Sequence, residues 1–507
     1  MRRYSRRIFL AAALASTAPL ALGALSTPAR ATGGPEFSRD VVVTLARNLA
    51  AAPYEPRASV PQDWQDQSYE EYQTRWFRSH DALWSKTPRS YNVDFFLPGL
   101  YFPRPIVINT VENGIAQKVA FDISLFDKTD KAPELSIDES LGYSGFRLRT
   151  ELQEPGKKNE FCVFQGASYF RAIGALNTYG LSARGLAVNT ADPKGEEFPE
   201  FTAFWLETPV PGQRNMVVHA LMDSPSVTGA YRFDILPGQD TVMDVEATIF
   251  AREELDNIGL GPLTSMFLFD QTNRHRFDDF RPAVHDSDGL LVVNGNGETL
   301  WRPLANPTTL QLSSFVDENP RGFGLMQRPR LLSDYEDLEA HYHKRPSLWV
   351  EPLGDWGKGA VTLVEIPADK EIYDNIVAYW RPRERYNAGA EVTLSYRLTW
   401  GSDPDLSVPQ VINTAAGARI FGDPGRIMTI DFAPHPLFAD GPDDIKAHIT
   451  SPHTTPTEGV LQNNPETGGM RLAFAFDPGE RDHVELRAEL RKDGEPASEV
   501  WLYRWTR

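Results

Sequence analysis

A chain of 507 residues is long enough for more than one domain and a large core. Its formal charge of -18 becomes -23 once the first 31 residues, with their five Arg and no acid, are set aside; such a surface disfavours phosphate backbones and anionic lipid and suits a neutral ligand. The single cysteine, Cys162, excludes an intrachain disulfide and a cysteine-rich zinc site, while 37 Gly, 39 Pro and 11% aromatics argue for β-structure over helix bundles.

Residues 1–31 read as a twin-arginine signal: Ser5-Arg6-Arg7-Ile8-Phe9-Leu10, a moderately apolar run, then Ala29-Arg30-Ala31 as the cleavage site. That leader predicts export to the periplasm of a chain folded before transport. No other stretch is long and apolar enough to span a membrane. A helix is predicted over 37–52, capped by Ser38, with Val41, Val42, Leu45 and Leu49 on one face. A second is predicted from Ser68, with Glu71 completing a capping box, to about Phe77.

Strands follow. Runs 106–111 and 115–121 flank Asn113-Gly114, a strong hairpin signal. Further pairs are 231–236 with 241–250, and 290–293 with 299–301. A capping box at Ser333 and Glu336 predicts a helix over 333–345, after which come strands at 361–366, 375–380 and 391–400. In the last of these, Val392, Leu394, Tyr396, Leu398 and Trp400 share one face. The fold class is therefore all-β: a large antiparallel β-sandwich over 32–402, a linker at 403–409, and over 410–507 a small sandwich of immunoglobulin-like size and strand spacing.

The stretch 349–382 holds three of the eleven tryptophans and six carboxylates. One of these, Asp374, stands just before an apolar strand, beside Tyr373 and near Tyr379 and Trp380. Cleaving a glycosidic bond needs an acid for the leaving oxygen and a base for water, so paired carboxylates are the most plausible catalysts. Asp286, in the loop His285-Asp286-Ser287-Asp288-Gly289, is the candidate partner; read alone, that loop is more simply a turn, and it fails as an EF-hand. His341-Tyr342-His343 lacks a third ligand, so no metal and no cofactor is expected. Signatures of serine hydrolases, kinases and nucleotide oxidoreductases are absent. The stretches 164–171 and 179–185 mix aromatic, small and cationic residues, as a sugar-binding face does.

Together, FQGASYFRAIG, YGLSARGLA, FPEFTAFWLE, PLTSMFLF, DDFRPAVHDSDGL, WVEPLGDWGKGAVTLVEIP and DNIVAYWRP resemble, in order, the periplasmic glucan biosynthesis proteins G and D, of osmoregulated periplasmic glucans. The twin-arginine leader resembles the D type more than the G type. The resemblance implies a galactose-mutarotase-like sandwich followed by an immunoglobulin-like domain. It also implies a cleft for β-1,2-glucan and an inverting endo-acting glycoside hydrolase, or a transglycosylase that cyclises glucan. It places the general acid on Asp374 and the base, acting through a proton relay, on Asp286. Tyr169, Arg184, Trp301, Arg302, Trp349, Trp356 and Lys358 are the expected glucan contacts. The implied partners are β-1,2-glucan and glucan-synthesis proteins of the periplasm or inner membrane, with no nucleic acid. A non-catalytic glucan-binding factor is the alternative.

Overall fold

Alternation of apolar and polar residues decides the architecture. In strand Glu391–Gly401, Leu394, Tyr396, Leu398 and Trp400 are buried while Ser395, Arg397 and Thr399 between them stay half-exposed, which is a strand with one face on a core. The computed structural model describes residues 34–507 and is nearly all β; the predicted leader, 1–31, lies outside the described residues. Among the described residues no helix is long and apolar enough to cross a membrane.

A ten-stranded antiparallel sheet packs on a fifteen-stranded one, and side chains of both, among them Phe146, Phe164, Phe233, Leu363 and Trp400, form one buried cluster. The hairpin at Asn113-Gly114 joins Val107–Glu112 to Ile115–Lys118, with both turn residues at positive φ (53° and 75°), as a two-residue turn between twisted strands requires. The other expected pairs also form: Val227–Leu236 with Thr241–Ala251, and Gly289–Val293 with Thr299–Pro303. Helix Arg39–Ala50 lays Val42 and Ala46 on the back of the larger sheet; Ser38 occupies the N-cap position without a capping bond from its side chain.

Two helix expectations are corrected. The Ser68–Glu71 capping box forms, but the helix is one turn, Tyr69–Tyr72, because Arg75–Phe77 leaves to pair with Phe126–Lys128. Over 333–345 there is no α-helix, only the 3-10 turns Leu332–Asp334 and Tyr342–Lys344. Asp337 accepts from the backbone N–H of Glu339 and Ala340, and Glu336 and His341 take left-handed φ of 53° and 51°, so local side-chain bonds displace the helix ladder.

The stretch 403–409 carries no strand or helix. Beyond it, Ile445–Thr450, His483–Lys492 and Val500–Thr506 extend the larger sheet, through parallel pairing of Leu300 and Trp301 with Val500 and Trp501. A four-stranded sheet built on Val411–Ala418, Arg426–Phe432 and Met470–Phe476 closes a second buried cluster over them. One buried cation ties this region to the rest. Arg328 Nη2 and Nη1 donate to both oxygens of Glu499 (2.6 and 2.7 Å), its Nε donates to Asp403 (3.1 Å), and its guanidinium lies 3.5 Å above the Trp301 ring. Neither the Arg328 nor the Glu499 side chain is more than 3% exposed.

Breaking a buried pair by neutralising one partner leaves an uncompensated charge. Glu499→Gln should therefore lower the unfolding free energy by about 3 kcal/mol or more, seen as an earlier denaturant midpoint in fluorescence titrations.

Candidate active site

The two carboxylates singled out in the sequence meet at one segment of chain. Strand Ile258–Ser265 pairs with Ile376–Pro382 on one side, and its continuation Phe267–Phe269 pairs with Val284–His285 on the other. Asn375, fully enclosed, fixes the first junction: its Nδ2 donates to Phe267 O (2.9 Å) and Ile366 O (3.0 Å), and its Oδ1 accepts from Phe267 N (2.8 Å). Asp286 fixes the second, its N–H donating to Met266 O at 2.8 Å. Asp374 and Asp286 thus flank residues 266–267 from opposite sides, about two strand spacings, or 10 Å, apart along the backbone.

Their surroundings differ. Asp374 is exposed and faces Arg171 Nη2 at 3.5 Å. Asp286 is enclosed, its side chain 13% exposed, with Arg345 Nε 3.3 Å from its Oδ1. That pair lacks hydrogen-bond geometry, so Oδ1 accepts no hydrogen bond from the protein and keeps a lone pair for a water or a ligand hydroxyl. Burial pushes the Asp286 carboxyl up to about 6; the Arg345 cation opposes the rise and the Asp374 charge adds to it.

The supporting groups explain the local sequence. His285 Nδ1 meets Gln327 Oε1 at 2.8 Å, Gln327 Nε2 donates to His285 O (2.8 Å), and the imidazole stacks on Phe267. Burial lowers this histidine to about 4, so it is neutral at physiological pH and serves as a fixed prop. Ser287 Oγ lies 2.8 Å from Ser265 Oγ. The next acid, Asp288, accepts from Arg328 N at 2.9 Å and is pushed up to about 7 by burial, against the pull of Arg328. Arg281 holds the turn before Asp374 through Glu371 (2.8 Å), itself anchored to Asp279 and Asp337. Gly180 packs against the Arg345 side chain: a Cβ there would stand 3.1 Å from it, a tight contact that would press on Arg345 beside Asp286.

Of the other expected contacts, Tyr169 alone lies beside the pair. It shares a strand face with Arg171, two residues on, and Asp374 is close enough to act on its hydroxyl, which burial raises. Arg184 sits behind it, 4.8 Å over the Tyr169 ring, with its own donors engaged by Glu196 (2.6 Å) and Thr264 (2.8 Å). The remaining five are elsewhere. Trp301, 2% exposed, and Trp349 pack beneath the C-terminal strands. Arg302 is buried against Glu365 at 3.1 Å. Trp356 packs on the main core against Tyr396, and Lys358 stands opposite Glu318 at the far end of its strand. Because Glu365, not Lys358, pairs with Ile376, Lys358 is roughly 20 Å of strand from Asp374. Arg171, Arg281, Arg345 and Asn375 were not singled out from the sequence; only Arg171 carried a signal, its spacing of two from Tyr169. Among the described residues no three His, Cys, Asp or Glu are grouped to hold a metal ion.

The chain matches the family model "Periplasmic glucan biosynthesis protein, MdoG" over residues 37–505. It is 48% identical over 502 residues to glucans biosynthesis protein G of Vibrio cholerae serotype O1, covering 97% of this chain and 91% of that protein. Against glucans biosynthesis protein G of Shewanella frigidimarina it is 48% identical over 476 residues, covering 93% and 85%. Against glucans biosynthesis protein G 1 of Shewanella oneidensis it is 46% identical over 497 residues, covering 97% and 90%.

The enclosure of Asp286 has a cost that stability reports. Its folded-state pKa lies above the unfolded value, so its contribution is complete below pH 3.8 and is lost as pH rises through about 6. Asp286→Asn, permanently neutral, should equal the parent near pH 4 and exceed it at pH 8 by roughly 2–3 kcal/mol in chemical denaturation.

Proposed function

The chain belongs to the family of periplasmic glucan biosynthesis proteins, MdoG, and from that premise we propose that it is a periplasmic enzyme acting on β-1,2-glucan. The reaction is inverting, endo-acting hydrolysis of the glycosidic bond, with Asp374 as general acid and Asp286 as general base. The observation that carries this reading is the pair of carboxyls held on either side of residues 266–267, one open and one enclosed. Inverting glycosidases keep their two carboxyls far enough apart to leave room for a water between them.

In this mechanism Asp374 gives its proton to the leaving glycosidic oxygen as the bond to the anomeric carbon breaks. A water attacks the opposite face of that carbon, and its proton passes through a relay of hydroxyl and solvent to Asp286. A base whose pKa lies near 6 is ionised at neutral pH and still a strong acceptor, which suits the role. Asp374 is open in the free protein, and a glucan chain laid over it would exclude bulk water from the proton transfer. Arg171 orients Asp374 and Arg345 keeps Asp286 ionised.

A second reading exchanges the two roles, because the enclosed carboxyl is the usual proton donor. A leaving group that needs no proton separates them. An aryl glycoside with an acidic phenol should restore turnover to the variant lacking the acid and leave the variant lacking the base inactive. Transfer instead of hydrolysis would change chain lengths without adding reducing ends, and a glucan-binding factor would bind without changing chains at all.

With linear β-1,2-glucan, Asp374→Asn and Asp286→Asn should each lose about 10²–10⁴ in rate by reducing-end assay. Turnover at the parental rate in either variant would remove that residue from the mechanism. In the parent, kcat/KM should rise with pH through about 6 as Asp286 ionises. Removing the opposing cation with Arg345→Met should move that limb to higher pH.

A further inference from the structure

The turn that carries the acid has few footholds in the protein. It starts at Ala368, whose N–H donates to Asn306 Oδ1 (3.0 Å) and whose carbonyl accepts from Asn306 Nδ2 (2.8 Å), and it ends at the enclosed Asn375. Between them the chain faces solvent: Ile372 is 75% exposed and Tyr373 50%. Asp374 itself meets Arg171. Among the described residues, the one other charged or hydrogen-bonded side-chain tie from this turn to another segment is the ion pair of Glu371 Oε2 with Arg281 Nη2, at 2.8 Å. That Glu371 oxygen is closed off from solvent.

Arg281 is a three-way fork. Its Nε and Nη2 donate to the two oxygens of Asp279 (3.0 and 2.8 Å), its Nη1 donates to Asp337 (2.8 Å), and Nη2 also faces Glu371. Asp337 is fixed in turn by the N–H groups of Glu339 and Ala340 (2.9 and 2.7 Å). A planar guanidinium can serve three carboxylates at once in this way, and a lysine point charge cannot. The Arg281 side chain is 13% exposed, so its pairs are shielded from water and salt as an exposed pair is not. Three distant segments of chain thus converge on one cation. Apolar burial does not hold them there: Phe280, Leu338 and Ile372, each beside one arm of the clamp, are 74%, 74% and 75% exposed.

The segment that bears Arg281 also bears Asp286, and that end is held many times over. Ala283 and Val284 are buried in one cluster with Tyr335 and Tyr342. His285 is bonded to Gln327, Asp286 N to Met266 O, and Ser287 to Ser265. Loss of the guanidinium therefore frees the turn of the acid and leaves the base where it is. We propose that Arg281 is a positioning residue: through Glu371 it fixes Asp374 against the loop that carries Asp286. It touches neither the scissile bond nor the proton. The inference rests on the hydrolase reading above and deepens it. Proton donation depends on a correctly placed donor, and a misplacement of about 1 Å costs on the order of 10²-fold in rate.

The test compares two leaving groups. With linear β-1,2-glucan, Arg281→Gln should lose about 10–10²-fold in kcat, with KM within about twofold of the parent. With an aryl glycoside of β-1,2-glucan, whose acidic phenol leaves without a proton, the same variant should turn over within about threefold of the parent, because the base is undisturbed. Glu371→Gln breaks the same tie from a side chain 37% exposed, and should show the same split should Arg281→Gln fold poorly; thermal midpoints report folding. In a folded variant, parental kcat on glucan, a loss confined to KM, or equal losses on the two substrates overturns the positioning role and leaves the hydrolase reading intact. A parent that cleaves neither substrate, or an Asp374→Asn protein that the aryl glycoside does not restore, overturns that reading and the positioning role with it.

Discussion

The Arg328 guanidinium is the point through which the candidate site depends on the rest of the molecule. It is buried, which alone would be prohibitive for a charge, and is tolerated because Glu499 and Asp403 both lie on it and the Trp301 face covers it. Its backbone N–H in turn holds Asp288, two residues after Asp286. Next to it, Gln327 binds His285, and its backbone N–H donates to Ser347 Oγ, whose hydroxyl donates to Asp403 at 2.5 Å. The loop bearing one candidate carboxylate is therefore gripped by groups that are gripped by the C-terminal strands. A chain ending before Glu499 would leave Arg328 without its principal counter-ion, so the C-terminal strands support the site without contributing a side chain to it.

Much of this was legible in the sequence, for physical reasons that differ by element. The strand Glu391–Gly401 and the hairpin at Asn113-Gly114 announce themselves because alternation and turn chemistry are local properties, satisfied within a few residues. The failed helices at 68–77 and 333–345 were read from capping residues, whose signal is equally local but whose outcome is settled elsewhere. Phe126–Lys128 captures the first, and Asp337 folds the second onto its own backbone. Asp374 and Asp286, 88 positions apart in the chain, are candidate partners by chemistry alone, but no spacing rule brings them together and only the resemblance assigns them acid and base roles. What joins them is Asn375 and the Met266–Phe267 backbone, and a buried amide side chain before a strand carries no pattern in one sequence.

The tryptophans show the limit from the other side. An aromatic-rich stretch beside carboxylates fits a sugar-binding wall, and equally fits the filling between two large sheets. Trp301 and Trp349 are needed where strands of the larger sheet carry glycines: a Cβ at Gly289 would sit 2.1 Å from the Trp301 ring, and one at Gly322 would sit 2.2 Å from that of Trp349. Large rings laid over glycines are a packing solution, in which the missing side chain on one strand makes room for an oversized one on the next. The rings that face outward lie outside the strands: Tyr101 in the turn after the left-handed Gly99 and Leu100, and Phe198 in the irregular stretch before strand Glu200–Glu207.

That distinction bears on how the two candidate carboxylates divide their work. Asp286 belongs to the interior: its environment is set by the fold, and burial, with the nearby Asp374 charge, raises its proton affinity before any ligand arrives. Asp374 belongs to the surface, at the end of a turn, with an arginine on one side and solvent on the other. Its environment is completed by whatever covers it. In the proposed mechanism the surroundings of the acceptor are therefore preset by the fold, whereas those of the donor are closed over only when a ligand lies across Tyr169, Arg171 and Asp374.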